Sequence, residues 1–484
     1  MTRWQLEAEA PLGRRMTVRR YRMPNGLRLI ASLDREAPIV AVQTWFGVGS
    51  RHERPGATGL AHLFEHLMFG QTETLGPGEF DRLVERTGGE SNAATWVDWT
   101  YYRLTVPTRD LPLALDLEAQ RMSKLVLAEA PIEAEREVVM NERRERVEDD
   151  VDGSLDEQLM VLAFERHPYR WPTIGWMEDI RRVTIDEIRA FYRTWYAPNN
   201  ACLVVVGDFD EAELLRLTSE AYGALPPAQL PSDPAVQEPA QTQERMIRVP
   251  KPIATHRLLV GYKAPSLAHP DWLPLDVAAT ILAGCSSARL QRRLVIREEA
   301  ASSVDAQLTP FRDPSLLRIA ITCARGHDAD EVMRILDEEL TALHTEPPSE
   351  AEVEKAKAVA ETDLWSTLVE VDGKAEALGH HETVLGDFRM LMNRTEALAA
   401  VTSQDVARVV RTYLQRPLRT VVVAEPSEPG DEDGEHDEAA AGGPDGEAWT
   451  EDAPAMHASQ PSESAARRAA GASALTPPPA RAGS

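Results

Sequence analysis

The chain is 484 residues long, 43% hydrophobic and 27% charged, with a formal net charge of −26. This composition predicts a soluble globular protein of about two to four domains, at roughly 100–200 residues each. No apolar run approaches the roughly 18 residues that span a bilayer, and the acidic balance argues against binding a nucleic-acid phosphate backbone.

In chain order, residues 21–33 place Asn25 and Gly26 between apolar runs, a hairpin signal, and residues 39–48 alternate into a third strand. A polar loop over 49–56 leads to residues 59–69, GLAHLFEHLMF. Thr58 and Gly59 precede a run of good helix formers and Gly70 closes it, so a helix is expected. A second helix is expected over 77–87, stopped by Gly88 and Gly89. Two strand-like stretches follow, 90–96 and 100–106, then long helices over 111–127 and from 132 to about 148. Helices and the loop HPYRWPTIG occupy 152–175, ahead of a helix over 184–195, a buried strand over 201–207 and a helix over 211–225. Proline is dense over 226–239, which reads as a linker.

Beyond the linker the first half recurs. VTIDEIRAFYRTWYAPNNACLVVVG from Val183 resembles VTSQDVARVVRTYLQRPLRTVVVAE from Val401, an offset of 218, and APIEAERE from Ala130 resembles PPSEAEVE from Pro347. The expected domains are therefore 1–225 and 246–425, joined by a linker at 226–245. After Ala424 the composition collapses to Glu, Asp, Gly, Ala, Pro and Ser, so 426–484 is expected to be a disordered tail. Residues 1–20 contain arginines but no apolar leader, which predicts a cytoplasmic protein. Two of the three cysteines, Cys202, Cys285 and Cys323, lie in strand-like runs, so buried thiols are expected rather than disulfides.

The chemistry is concentrated in residues 59–69. His62 and His66 are four apart, which on a helix puts both imidazoles on one face, a pairing that suits zinc. Glu65 shares that side and is placed to take a proton from a metal-activated water. H-x-x-E-H is the inverse of the common zincin order. Paired histidines also arise by chance among twelve, so the neighbours decide. In the helix after Pro131, Glu135 and Glu142 are seven apart and stack on one face; either reaches a metal. Most other glutamates there are ordinary charges on a solvated face. In the second copy Glu142 falls on Val359, and the helix reading LPLDVAATIL has no histidine, so one copy carries the metal and the other does not. His380, His381 and Glu382 are not read as a second site, because adjacent histidines do not share a helical face.

These residues resemble the insulinase/pitrilysin metallopeptidases, and within them the processing-peptidase-like subgroup. The resemblance covers about residues 21–424 and rests on TGLAHLFEHLMFG, GGESNAAT, EREVVMNE, HPYRWPTIG and WYAPNNACLVVVGDF. It implies zinc bound by His62, His66 and Glu142, with Glu65 as general base and Glu135 supporting the site from behind. Asn92, Ala93 and Thr95 match the edge strand that pairs with substrate backbone. The implied fold is α+β: two homologous domains, each a mainly antiparallel sheet with helices packed on it, forming a clam-like chamber around an extended peptide. The implied activity is zinc endopeptidase; the alternative is a non-catalytic peptide-binding or assembly subunit. One departure stands out. Arg297 matches a substrate-binding arginine, but Ser302 and Ser303 occupy the place of a tyrosine. This predicts a heterodimer with a homologue lacking the metal motif; the rival is a homodimer or monomer in which Ser302, Ser303 or another tyrosine substitutes.

Overall fold

The computed structural model describes residues 4–232 and 236–427; from Glu428 onward the expected tail lies outside the described residues. The first half builds a sheet from β1 (Gln5–Leu12), β2 (Met16–Arg22), β3 (Arg28–Leu33), β4 (Ile39–Phe46), β5 (Glu90–Thr95), β6 (Thr100–Pro107) and β7 (Ala201–Gly207). The second half uses β8 (Arg245–Lys251), β9 (Arg257–Ala264), β10 (Ala301–Leu308), β11 (Ser315–Cys323) and β12 (Arg419–Pro426). The orders are β1-β2-β3-β7-β4-β6-β5 and β10-β11-β9-β12-β8. Read from opposite ends, β3-β7-β4-β6-β5 and β8-β12-β9-β11-β10 are the same sheet. In each, one pair is parallel (β3 with β7, β8 with β12) and the rest are antiparallel. The protein is thus α+β, with two homologous halves.

The helices of the first half are α1 (Leu60–Leu67), α2 (Glu79–Thr87), α3 (Leu111–Ser123), α4 (Glu129–Arg143), α5 (Val151–Ala163), α6 (Met177–Arg182), α7 (Ile185–Trp195) and α8 (Glu211–Tyr222). The second half adds α9 (Trp272–Ala283), α10 (Ala329–Thr345), α11 (Glu350–Thr367), α12 (Val371–Leu385), α13 (Arg389–Ala399) and α14 (Ser403–Tyr413). The recurrence seen in the sequence is structural. α7 and α14 each start with a capping box, Thr184 with Glu187 and Thr402 with Asp405, and each leads into a buried strand.

The structure departs from the expected elements in three places. β1 was not among the expected elements, although Leu6, Ala8, Ala10 and Leu12 alternate with Gln5, Glu7, Glu9 and Pro11; it is largely exposed and is held to β2 by the antiparallel ladder and by ion pairs such as Arg19 with Glu9 at 2.7 Å. α3 stops at Ser123 because the next residues pair elsewhere: Val126 donates to the Gln71 carbonyl and Leu125 bridges Thr72. The helix expected to reach about 148 is α-helical only to Arg143, and Arg144–Glu148 is wound as a π-helix.

The halves exchange helices. α5 of the first half packs on β9 and β12 of the second sheet, and α12, its counterpart, packs on β4 and β7 of the first. Each sheet is thereby covered on both faces, which is why β7 reads as a continuous apolar run. α12 brings Glu376, His380, His381 and Glu382 into the interior. Glu382 takes Arg20 at 2.9 Å and Arg28 at 2.8 Å from the first sheet. Burial lowers His381 to about 4, with Arg394 adding to the effect, and pushes His380 well below the ordinary imidazole value. An exposed imidazole titrates near 6.5, so folding favours the neutral ring. The stabilisation is complete above about pH 6.5 and is lost as pH falls toward 4. For His381 the loss is about 3 kcal/mol. Thermal melting from pH 7 down to 4.5 should show it, and the acid loss should shrink in His381→Gln.

Candidate metal centre

α1 starts at Gly59, whose φ is 87°, and a Cβ there would meet the Ile174 carbonyl oxygen at 2.6 Å. Only glycine fits. The first amides of the helix are capped from a distance: the buried Glu53 carboxylate accepts from Gly59 and Ala61, both at 2.8 Å. Burial pushes Glu53 up to about 8, against the pull of those amides. Thr58 is held in turn by Asp179, its hydroxyl donating at 2.7 Å. α1 turns Leu60, Ala61, Leu63, Phe64 and Leu67 into the core. The face left over carries His62, Glu65 and His66, opposite α4.

On α4, Glu142 Oε2 is 3.6 Å from His62 Nε2 and 3.3 Å from His66 Nε2. One donor atom from each of the three residues lies within 4.8 Å of the others, and this is the only such group among the described residues. Donors about 2.0–2.2 Å from a tetrahedral zinc stand roughly 3.3–3.6 Å apart, so the set fits that ion. Glu142 Oε2 is buried and lacks hydrogen-bond geometry to either histidine, while Oε1 takes Arg146 at 2.8 Å. Glu135 is not part of the converging set. Its Oε2 lies 3.5 Å from His66 Nδ1, on the far side of the ring. The choice between Glu135 and Glu142 that spacing leaves open is thus made by how α4 sits on α1.

Electrostatics follow this geometry. Burial lowers His66, but Glu135 and Glu142 outweigh it and raise the imidazole to about 10. Burial works to raise Glu142, but His66, His62 and Arg146 hold it down at about 2. His62 is lowered, chiefly by burial.

β5 is the outermost strand of its sheet and packs beside α1. Asn92, Ala93 and Thr95 pair with Arg103, Tyr102 and Thr100 on one side only. Arg297 is not brought to this group. It is exposed at the end of a π-wound turn in the second half, beside a cavity of about 420 Å³ lined by residues that are not on α1, α4 or β5. Ser302 and Ser303 are exposed on β10. Glu53, Asp179 and Arg146 were missed from the sequence. Glu53 and Asp179 act on α1 from outside the helix, so no local spacing marks them, whereas the i,i+4 spacing of Glu142 and Arg146 is the signal that marks Arg146.

Residues 29–175 match the family model described as insulinase (peptidase family M16), and 182–359 match the one described as peptidase M16 inactive domain. The zinc protease PqqE of Helicobacter pylori is 30% identical over 409 residues, covering 84% of this chain and 92% of that protein. The beta subunit of mitochondrial-processing peptidase from Lentinula edodes is 25% identical over 405 residues, 81% of this chain and 86% of its own. Among solved structures, a protease from Helicobacter pylori superposes with a TM-score of 0.81 at 28% identity, covering 88% of this chain and 100% of that one. The peptidase M16 inactive domain from Pseudomonas fluorescens, 17% identical, shares the fold with a TM-score of 0.77 over 85% of this chain and 98% of its own. With similarity running through both halves, the chain belongs to the insulinase family, peptidase family M16.

Proposed function

We propose that the chain is a zinc endopeptidase of the processing-peptidase type, cutting short or unstructured peptides held in extended form. The convergence of His62, His66 and Glu142 on one point carries this reading, and relatives named zinc proteases support it. A zinc ion bound there supplies Lewis acidity, polarising the scissile carbonyl and making water a nucleophile near neutral pH. Glu65, on the same face but outside the converging set, takes the water's proton and returns it to the leaving amine. Glu135 orients His66 through Nδ1. β5, with no strand beyond it among the described residues, offers the backbone of Asn92, Ala93 and Thr95 to an added peptide strand.

In this reading residues 1–225 form the catalytic domain, and Arg297 contributes little to it. A partner homologue without the metal motif supplies the substrate contacts that Ser302 and Ser303 do not; in a homodimer or monomer, Ser302, Ser303 or another tyrosine substitutes. Three free cysteines suit a reducing compartment, the cytoplasm. The described helices include none long and apolar enough to cross a membrane. The second reading, a non-catalytic peptide-binding or assembly subunit, draws on the match of 182–359 to a domain described as inactive.

The deciding experiment presents a degenerate library of short peptides to the purified full chain, alone and with a candidate partner. Hydrolysis that a chelator removes and added zinc restores is the expected result. A zinc-loaded chain that binds peptides and cleaves none, with or without the partner, would favour the assembly subunit.

A further inference from the structure

The loop HPYRWPTIG has no part in the proposed chemistry, yet it lies where the two halves meet. The hairpin joining β10 to β11 sets Phe311, Arg312 and Asp313 of the second half against segments of the first. Asp313 Oδ2 is 3.0 Å from Arg51 Nη2 and 3.1 Å from His167 Nε2, and its amide donates to the Tyr169 hydroxyl at 3.1 Å. That hydroxyl donates to Asp98 at 2.8 Å. Arg51 Nη1 reaches the same carboxylate at 3.2 Å, and the Arg312 amide donates to it at 2.9 Å. Arg51, Asp98, His167 and Tyr169 are all buried. A buried polar network bonded this completely specifies one arrangement of the parts it joins.

Arg51 belongs to a single helical turn, Ser50–His52, that leads to the metal helix. The amides of Ser50 and Arg51 donate to Trp96 and Val97 at 3.2 and 3.0 Å, tying the turn to the end of β5. Immediately after the turn, Glu53 holds the first amides of α1. The far end of the loop meets the same helix start: Trp176 donates to the Thr58 hydroxyl at 2.9 Å, and a Cβ on Gly175 would meet Gly59 Cα at 2.5 Å. One joint therefore borders both the helix carrying His62 and His66 and the strand carrying Asn92 and Ala93.

We propose that Asp313 is a positioning residue for the metal centre. Through Arg51 it fixes the turn whose Glu53 carboxylate seats α1, so the half without metal ligands sets where the histidines stand relative to Glu142 and β5. This rests on the zinc-peptidase reading.

The test measures zinc affinity of the full chain by competition with a chromophoric chelator, for wild type, Asp313→Asn, Asp313→Ala, Glu53→Gln and the Asp313→Ala/Glu53→Gln double variant. Asp313→Ala is expected to weaken zinc binding by up to about tenfold, the low end of what loss of a group bonded directly to a metal ligand costs, because it acts through Arg51 and Glu53. Asp313→Asn should fall between it and wild type, and it carries the test if the alanine chain does not fold. Because both residues act through one turn, the double variant should lose less than the product of the single losses. Zinc affinity within about twofold of wild type in the folded single variants, or fully multiplicative losses, would overturn the proposal. Zinc binding is read without turnover. A wild-type chain that binds zinc and cleaves nothing, with or without a partner subunit, would refute the peptidase reading while this comparison still decides the role of Asp313.

Discussion

Glu65→Gln is expected to keep its zinc and to lose about 100- to 10,000-fold in peptide hydrolysis, the range over which a positioned general base contributes. Glutamine has nearly the same shape as glutamate but does not accept the proton, and Glu65 is not one of the three converging donors. Glu142→Gln should behave oppositely, because a neutral amide replaces the anionic donor 3.3 Å from His66 Nε2. There zinc retention should fall first, and activity with it. Metal content and turnover measured side by side separate the two roles. Equal zinc contents with full activity in both variants would sink the assignment.

Gly379→Ala should destabilise the whole chain through the exchanged helix. Helix propensity alone favours alanine by about 0.5–1 kcal/mol. Against that, a Cβ at 379 would stand 2.2 Å from Trp45 Nε1 and 2.5 Å from Cδ1 and Cε2. Trp45 has nowhere to go: it is fully buried, stacked on Tyr101 at 4.3 Å, and its Nε1 donates to Gln43 at 2.9 Å. Overpacking of this kind typically costs about 1–3 kcal/mol, so the overlap wins and Tm should drop by about one to three degrees. An unchanged Tm would mean that α12 is not seated on the first sheet as described.

What was legible in the sequence is what local spacing can encode. The four-residue interval of His62 and His66 among good helix formers fixes a face, and the domain-sized recurrence fixes a second sheet of the same order. The third ligand needed more. Glu135 and Glu142 share a face by spacing, and only the seating of α4 on α1 puts Glu142 between the histidines and Glu135 behind one of them. Glu53 was illegible because it caps a helix it does not belong to, from an irregular loop. The exchange of α5 and α12 was illegible for a similar reason. A helix buried on the other half's sheet carries no mark of which sheet it covers, and the polar residues of α12 find partners only there, as Glu382 does with Arg20 and Arg28. Arg297 shows the reverse case, a residue matched by motif that the fold places in a different cavity.

Anomalous diffraction at the zinc edge from crystals of the full chain locates the metal and its ligands. The predicted result is a single strong peak between α1 and α4, about 2.0–2.2 Å from His62 Nε2, His66 Nε2 and a Glu142 oxygen. No peak there from zinc-soaked crystals, or a zinc held by other residues, would contradict it.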